Sequence, residues 1–377
     1  MAGIYIHIPF CKQACYYCDF HFSTSLKKRE ELVNALVKEL ELRTSEFKNT
    51  VVETIYFGGG TPSLLSNSEL QLIIDAVYNN YAVSENPEIT LEANPDDLSK
   101  DRILDLSKSP INRLSIGVQS FFEADLKLMN RAHNAEEAKT CIEEAIKYFD
   151  NISLDLIYGI PDASNAQWLK NIETALSYSV PHISSYALTV EPKTALASFI
   201  KKGIIKNVDD EQAHEQFYIL KEKLEENGFV HYELSNFGKA GYYSVNNSAY
   251  WKGKSYIGVG PSAHSFNGKQ RSWNVSNNTK YIKAIQQNEL PINIETLTLT
   301  DRYNEYVMTG LRTIWGVSLE KVEKDFGAGF KTHLIEQSEV FIRQQLLYIH
   351  GEQLHVTTEG QFLCDGIASE LFKINIT

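Results

Sequence analysis

No apolar run in the 377-residue chain approaches the ~20 residues of a membrane-spanning helix, so a helical integral membrane protein is excluded. The first residues, Met1-Ala2-Gly3-Ile4-Tyr5-Ile6-His7, lack the basic region and apolar core of a secretory signal. Positive charge is in deficit: 36 Lys and Arg against 48 Asp and Glu give a net charge of -12. Broad nucleic-acid binding needs clustered Lys and Arg and is not expected; the acidity reads as a solubility feature. Low-complexity segments and short-period repeats are absent. Cysteine is limited to five residues, and without an export signal they imply a reducing cytoplasm in which thiols stay free. The remainder, 43% hydrophobic and 22% charged, is ordinary globular material for one large domain and a smaller one.

Three of the five cysteines fall close together, in Ile8-Pro9-Phe10-Cys11-Lys12-Gln13-Ala14-Cys15-Tyr16-Tyr17-Cys18-Asp19-Phe20. Three thiolates on one short loop can hold three irons of a [4Fe-4S] cubane and leave the fourth without a protein ligand, open to a small molecule. A structural zinc site is the alternative, with His7 or His21 completing the donor set. A disulfide is a poor reading for an odd number of thiols. Cys141 lies in a helical stretch, 138–149, and is expected in the core.

Along the chain, strand-like and helix-like segments alternate. Ile4, Ile6 and Ile8 alternate with Tyr5 and His7 and end at the cysteine loop. Further strands are expected at 54–57, 89–92, 113–119, 152–157 and 182–188, with another at 230–234. Helices are expected near 28–43, 100–107, 135–148, 166–177 and 210–227, and after Ser66 and Glu69, which have capping-box spacing. This rhythm predicts an α/β fold: a partial or complete barrel of six parallel (β/α) units with ligands at the carboxyl ends of the strands. The cysteine loop, Gly58-Gly59-Gly60-Thr61-Pro62, Glu92, Gln119 and Asp155 all lie where strands end. From about residue 300 the pattern changes to helices at 303–313 and 319–326, a hairpin at 347–349 and 354–356, and a short helix at 366–372, a small mixed α+β module with winged-helix character. The domain boundaries are expected at 1–235 for the barrel, 236–299 for a connecting segment and 300–377 for the C-terminal module.

The ordered motifs Ile-Pro-Phe-Cys-x3-Cys-x-Tyr-Cys, Gly-Gly-Gly-Thr-Pro-Ser, Leu-Glu-Ala-Asn-Pro, Ser-Ile-Gly-Val-Gln-Ser-Phe and Asp-Leu-Ile-Tyr-Gly-Ile-Pro resemble the radical S-adenosylmethionine (SAM) proteins, and nearly the whole chain is covered. Within them the chain is similar to the branch that holds anaerobic coproporphyrinogen III oxidases (dehydrogenases) and the HemW heme chaperones. The resemblance implies that Cys11, Cys15 and Cys18 ligate a [4Fe-4S] cluster. It implies that Tyr5 and Tyr17 lie against bound SAM, held by Gly59, Gly60, Thr61, Glu92, Gln119, Arg131 and Asp155. In such proteins one electron from the cluster cleaves SAM to an adenosyl radical. Seen singly, Glu92 and Asp155 can be helix caps, Gln119 a rim residue, Arg131 a surface cation and Tyr5 barrel packing; their joint placement carries the functional reading.

Two features separate the branches. The oxidases carry a fourth cysteine two positions after the third, where this chain has Phe20, and a longer N-terminal segment, where ten residues precede Cys11. Both favour a cytoplasmic heme chaperone, with an oxygen-independent coproporphyrinogen III oxidase as the alternative. The chaperones also carry His-Asn-x-x-Tyr-Trp, whose histidine is implicated in heme binding. This chain reads Asn246-Asn247-Ser248-Ala249-Tyr250-Trp251, and Asn is a poor axial ligand for heme iron. Tyr250, Trp251 and His264 are the candidate heme or substrate contacts. Tyr242, Tyr243, Tyr250, Trp251 and Tyr256 can stack on a porphyrin or pack as core. The expected partners are heme or a porphyrin, a heme-acceptor protein and an electron donor; a homodimer is compatible with the family. Whether the chain is itself an enzyme is left open by the sequence.

Overall fold

The computed structural model describes residues 2–374. Six strands, β1 (Ala2–Ile8), β2 (Val52–Gly59), β3 (Val83–Ala93), β4 (Arg113–Gln119), β5 (Ile152–Tyr158) and β6 (His182–Ala187), stand side by side in chain order, each parallel to the next. The crossovers carry α1 (Arg29–Leu42), α2 (Asn67–Asn80), α3 (Lys100–Leu106), α4 (Glu123–Leu128), α5 (Ala135–Ala145) and α6 (Asn165–Ser177). α7 (Ala195–Lys201) and α8 (Asp210–Glu226) follow β6. The capping box of Ser66 and Glu69 opens α2 as its spacing predicts.

The sheet remains open, and both ends are extended. β7 (Val230–Glu233) and β8 (Asn236–Gly238) add antiparallel strands beyond β6. After α9 (Val245–Trp251), β9 (Ser255–Val259) returns to pair parallel with β1. β10 (His264–Phe266), β11 (Gln270–Asn274) and β12 (Ile292–Thr296) continue outward from it, antiparallel, with α10 (Asn278–Gln286) inserted before β12. The result is a partial barrel of six (β/α) units whose strands, with β9, form seven parallel neighbours inside a 12-stranded sheet.

Strand alternation divides the sheet into two unlike faces. Ile4, Ile6, Ile8, Ile55, Phe57, Ile89, Leu91, Leu114, Ile116, Leu154 and Leu156 are buried in one hydrophobic core with the helices. The opposite face, which lines the barrel interior, is polar. Tyr56 Oη donates to Glu92 at 2.8 Å, Ser115 Oγ to Asp155 at 3.1 Å, and Ser153 Oγ lies 2.8 Å from His182 Nδ1. The lining of this interior chamber buries the Glu92 and Asp155 carboxylates against hydroxyl donors, as buried charge requires.

α9 closes the N-terminal end of this chamber. Glu88 accepts from Val245 N and Asn246 N at 3.0 and 2.9 Å, a carboxylate at a helix N-terminus. The C-terminal module comprises α11 (Leu299–Leu311), β13 (Val317–Ser318), α12 (Leu319–Phe326), α13 (Ala328–Arg343), β14 (Leu347–His350), β15 (Gln353–Val356) and α14 (Cys364–Glu370). Its three strands form a separate sheet over a second hydrophobic core, the winged-helix-like order. α13 does not stand out in the apolar periodicity: it buries only Leu334 and Ser338, and two glycines flank its start.

Candidate metal and cofactor site

At the C-terminal rim, β1 delivers the chain through Pro9 and Phe10 into the cysteine loop. The loop is stapled at several points by backbone bonds: Cys11 N to Ser23 O at 3.1 Å, Tyr16 N to Met129 O at 3.1 Å and Leu196 N to Tyr16 O at 2.8 Å. Asn130 adds a side-chain bond to Ala14 O at 2.8 Å. Tyr16 and Tyr17 pack on an apolar cluster that includes Leu126, Met129, Ile157 and Leu196. The thiols of Cys11, Cys15 and Cys18 are left partly open to solvent, while Cys141 and Cys364 are buried elsewhere. Burial pushes the Cys18 thiol up to about 11 and raises that of Cys11. Metal ligation at these thiols must therefore displace protons.

The glycine turn at the end of β2 is shaped by what it touches. Gly60 N donates to Ile8 O at 2.9 Å, tying the turn to the strand that launches the cysteine loop. A Cβ on Gly60 would lie 2.7 Å from the carbonyl oxygens of Ile8 and Phe10. Gly59 has a φ of 106°, and a Cβ there would meet the His7 ring at 2.4 Å. Backbone therefore approaches the rim where side chains cannot.

Glu92, on β3, accepts from Gly59 N at 3.2 Å as well as from Tyr56. Burial raises its carboxyl to about 7, against the opposing bond from Tyr56, and burial likewise raises Asp155 to about 6. Arg131 reaches in from the loop after α4. Its Nη2 donates to Asn94 Oδ1 at 2.7 Å and to Gly117 O at 2.9 Å, and its Nη1 lies 3.4 Å from both Cys15 Sγ and Tyr17 Oη. Arg131 Nε is buried without a partner among the described residues, an orphan donor of the kind that a carboxylate ligand would satisfy. Gln119, at a φ of 67°, ends β4, and a Cβ on Gly117 would lie 2.9 Å from its Nε2. Thr61 is buried and accepts from Asn94 Nδ2 at 3.3 Å. Tyr5 lies deeper, stacked on Tyr56 at 6.1 Å, its hydroxyl 3.1 Å from His7 Nδ1.

The structure thus draws the three cysteines, Tyr17, Arg131, Gly59, Gly60, Thr61, Glu92 and Gln119 to one rim, with Tyr5 and Asp155 on the interior lining below. Tyr250 and Trp251 belong to α9 at the opposite end. Trp251 lies under the Arg312 guanidinium at 5.6 Å, so it joins the barrel to the C-terminal module. Tyr250 is 51% exposed. His264 is exposed on β10, its ring 6.0 Å from that of Trp273. Asn94, Asp97 and Lys12, which the sequence reading passes over, are built into the rim; Asn94 stands inside the Leu-Glu-Ala-Asn-Pro motif and was within reach of that signal.

The raised Glu92 carboxyl gives a stability prediction. Between its ordinary value of 4.5 and about 7, the folded chain holds a proton that the unfolded chain has released. The folded state therefore loses stability as pH rises through this window. Urea unfolding of metal-free protein should show wild type losing about 3 kcal/mol over the window relative to Glu92→Gln. A pH-independent difference between the two would remove the buried-acid account.

Comparison with known proteins identifies the family. Residues 5–188 match the Radical SAM superfamily and residues 297–363 the HemN C-terminal domain. The heme chaperone HemW of Bacillus subtilis (strain 168) is 34% identical over 367 residues, 96% of this chain and 97% of that protein. HemW of Lactococcus lactis subsp. lactis (strain IL1403) is 34% identical over 94% of this chain and 93% of its own length. The HemN coproporphyrinogen III oxidase of Escherichia coli, a radical SAM enzyme, shares the fold with a TM-score of 0.86 at 20% identity, over 99% of this chain and 90% of that one. No described helix is long and apolar enough to cross a membrane. With its cysteine loop, glycine turn and rim residues carried on a six-unit partial barrel, and with relatives matching it end to end, the chain belongs to the radical SAM superfamily, in the HemW-like branch.

Proposed function

We propose that this protein is a cytoplasmic heme chaperone that holds a [4Fe-4S] cluster and SAM at the barrel rim, binds heme and passes it to an acceptor protein. The observation that carries the reading is the end-to-end likeness to HemW proteins combined with Phe20 where the oxidase branch has a further cysteine. Cys11, Cys15 and Cys18 would hold the cluster. Among the described residues no three Cys, His, Asp or Glu side chains converge as a single-ion cage requires, whereas a cubane spreads its thiolates over separate irons. The orphan Arg131 Nε suits the SAM carboxylate, and Glu92, Gln119 and Asp155 its ribose. Gly59, Gly60 and Thr61 offer close backbone, and Tyr5 and Tyr17 the ring faces. When bound, the cluster and SAM together supply one-electron chemistry; the chain's part is to orient the ligands and to keep water from them.

For heme, His264 is the ligand candidate. It lies on the strands added beyond β1, where rings succeed one another: Tyr250 to Tyr256 at 5.8 Å, Tyr256 to Phe266 at 6.5 Å and His264 to Trp273. A run of aromatic rings with an exposed imidazole offers contacts for a porphyrin and its iron. Asn246 does not offer a substitute, because its side chain and backbone are engaged by Thr54 and Glu88. Heme titration should give stoichiometric binding with a Soret band that changes in His264→Ala; an unchanged band removes His264. The oxidase reading is favoured by one feature, Asn246 in place of the chaperone histidine. Anaerobic incubation with coproporphyrinogen III, SAM and reductant decides between them, since decarboxylated product would refute the chaperone assignment.

A further inference from the structure

The cysteine loop meets the turn after β3 at two places, and one path of polar contacts joins them. Lys12, the residue after Cys11, places Nζ 2.8 Å from Asp96 Oδ2 and also pairs with Asp97. The Asp97 side chain is only 4% exposed, and its other oxygen accepts from Ser63 Oγ at 2.7 Å. Ser63, in the Gly-Gly-Gly-Thr-Pro-Ser turn, accepts from Asn94 N at 3.3 Å. Asn94 in turn accepts from Arg131, whose other nitrogen lies beside Cys15 and Tyr17. The path leaves the loop next to Cys11 and re-enters it at Cys15. It runs through the rim turns of β2 and β3, so it fixes the loop to the same framework that carries Gly60 and Glu92.

Such a circuit has a physical consequence. Ordering a loop costs about 1–2 kcal/mol per residue of backbone entropy. A loop already ordered by its own contacts does not charge that cost against ligand binding. Lys12 is 42% exposed in its side chain and could be solvated as well in water; its link with a nearly buried carboxylate, from a position between two thiols, is not a feature that folding of the barrel requires.

We propose that Lys12 and Asp97 are positioning residues for the cluster: they hold the cysteine loop in its metal-binding shape before iron arrives. The proposal rests on the reading that Cys11, Cys15 and Cys18 bind the cluster. Anaerobically reconstituted full-length wild type, Lys12→Met, Lys12→Arg and Asp97→Asn would be challenged with an iron chelator, following loss of the cluster's visible absorption. Melting of each metal-free protein would be measured in parallel. Lys12→Met and Asp97→Asn should lose the cluster about 10- to 100-fold faster than wild type. Lys12→Arg, which keeps the charge and donors, should restore both slow loss and the wild-type metal-free melting point, while Lys12→Met leaves the nearly buried Asp97 without its cation. Equal loss rates in wild type and Lys12→Met would overturn the proposal. So would a lowered metal-free melting point in Lys12→Met without rescue by arginine, which would mark a purely structural role. Wild type that takes up no iron and sulfide would instead overturn the cluster reading itself.

Discussion

Cys15→Ala is expected to leave a folded chain that retains almost no iron or sulfide, a fall from about four of each per molecule. The fold should survive because the loop is stapled by backbone groups of Cys11, Tyr16 and their partners. Among the described residues, the only side-chain bond to the Cys15 thiol is the long one from Arg131. A partly exposed side chain with so little packing costs within about 0.5 kcal/mol when truncated. Cluster retention depends on all three thiolates, since removing one leaves two irons without protein ligands. Cys141→Ala is the matching control. Cys141 is 3% exposed in the barrel core and far from the rim loop in the chain, so this change should lower stability by about 1 kcal/mol and leave iron and sulfide in place. Iron and sulfide assays after anaerobic reconstitution, with urea unfolding, separate the two. Equal metal content in Cys15→Ala and wild type would remove Cys15 from the ligand set.

Gly60→Ala should damage both the fold and the cluster site, although it adds a single methyl group. The added methyl would sit 2.7 Å from two carbonyl oxygens and 2.9 Å from Phe10 N, all of them backbone. No rotamer can relieve such a contact, so either the β2 turn or the exit of β1 must move. Overpacking of this kind costs about 1–3 kcal/mol, and the displaced segment leads directly into Cys11. The variant is therefore expected to unfold at lower urea and to lose its cluster. Gly366→Ala provides the contrast: nothing lies within 4 Å of its Cβ position in α14, and the gain in helix propensity is up to about 1 kcal/mol. A Gly60→Ala protein as stable as wild type would show that the turn has slack that the structure does not display.

The parallel strands were legible because each alternates apolar residues toward the helices with polar residues toward the chamber. Ile4, Ile6 and Ile8 against Tyr5 and His7 is the clearest case. Rim residues were legible for a related reason: a run of strands ending in Cys, Gly, Glu and Gln can be read without knowing how the strands pack. What could not be read depends on distance in the chain. Lys12 stands 84 positions before Asp96, and a lone lysine between cysteines looks like solvated loop. Similarly, Tyr250 and Trp251 form an attractive aromatic pair in the sequence. Only the seating of α9 on Glu88, and of Trp251 against Arg312, shows that they lie at the chamber's far end. Periodicity did not reveal α13, whose buried face is only Leu334 and Ser338.

The reading of this site turns on a metal centre with one corner left free for SAM. Its most direct test is electron paramagnetic resonance of the anaerobically reconstituted, reduced protein, recorded with and without SAM. The account predicts the signal of a reduced [4Fe-4S] cluster whose shape changes when SAM is added, because the added molecule binds the free iron. A reduced-cluster signal that SAM leaves unaltered, or protein that yields no such signal, would contradict it.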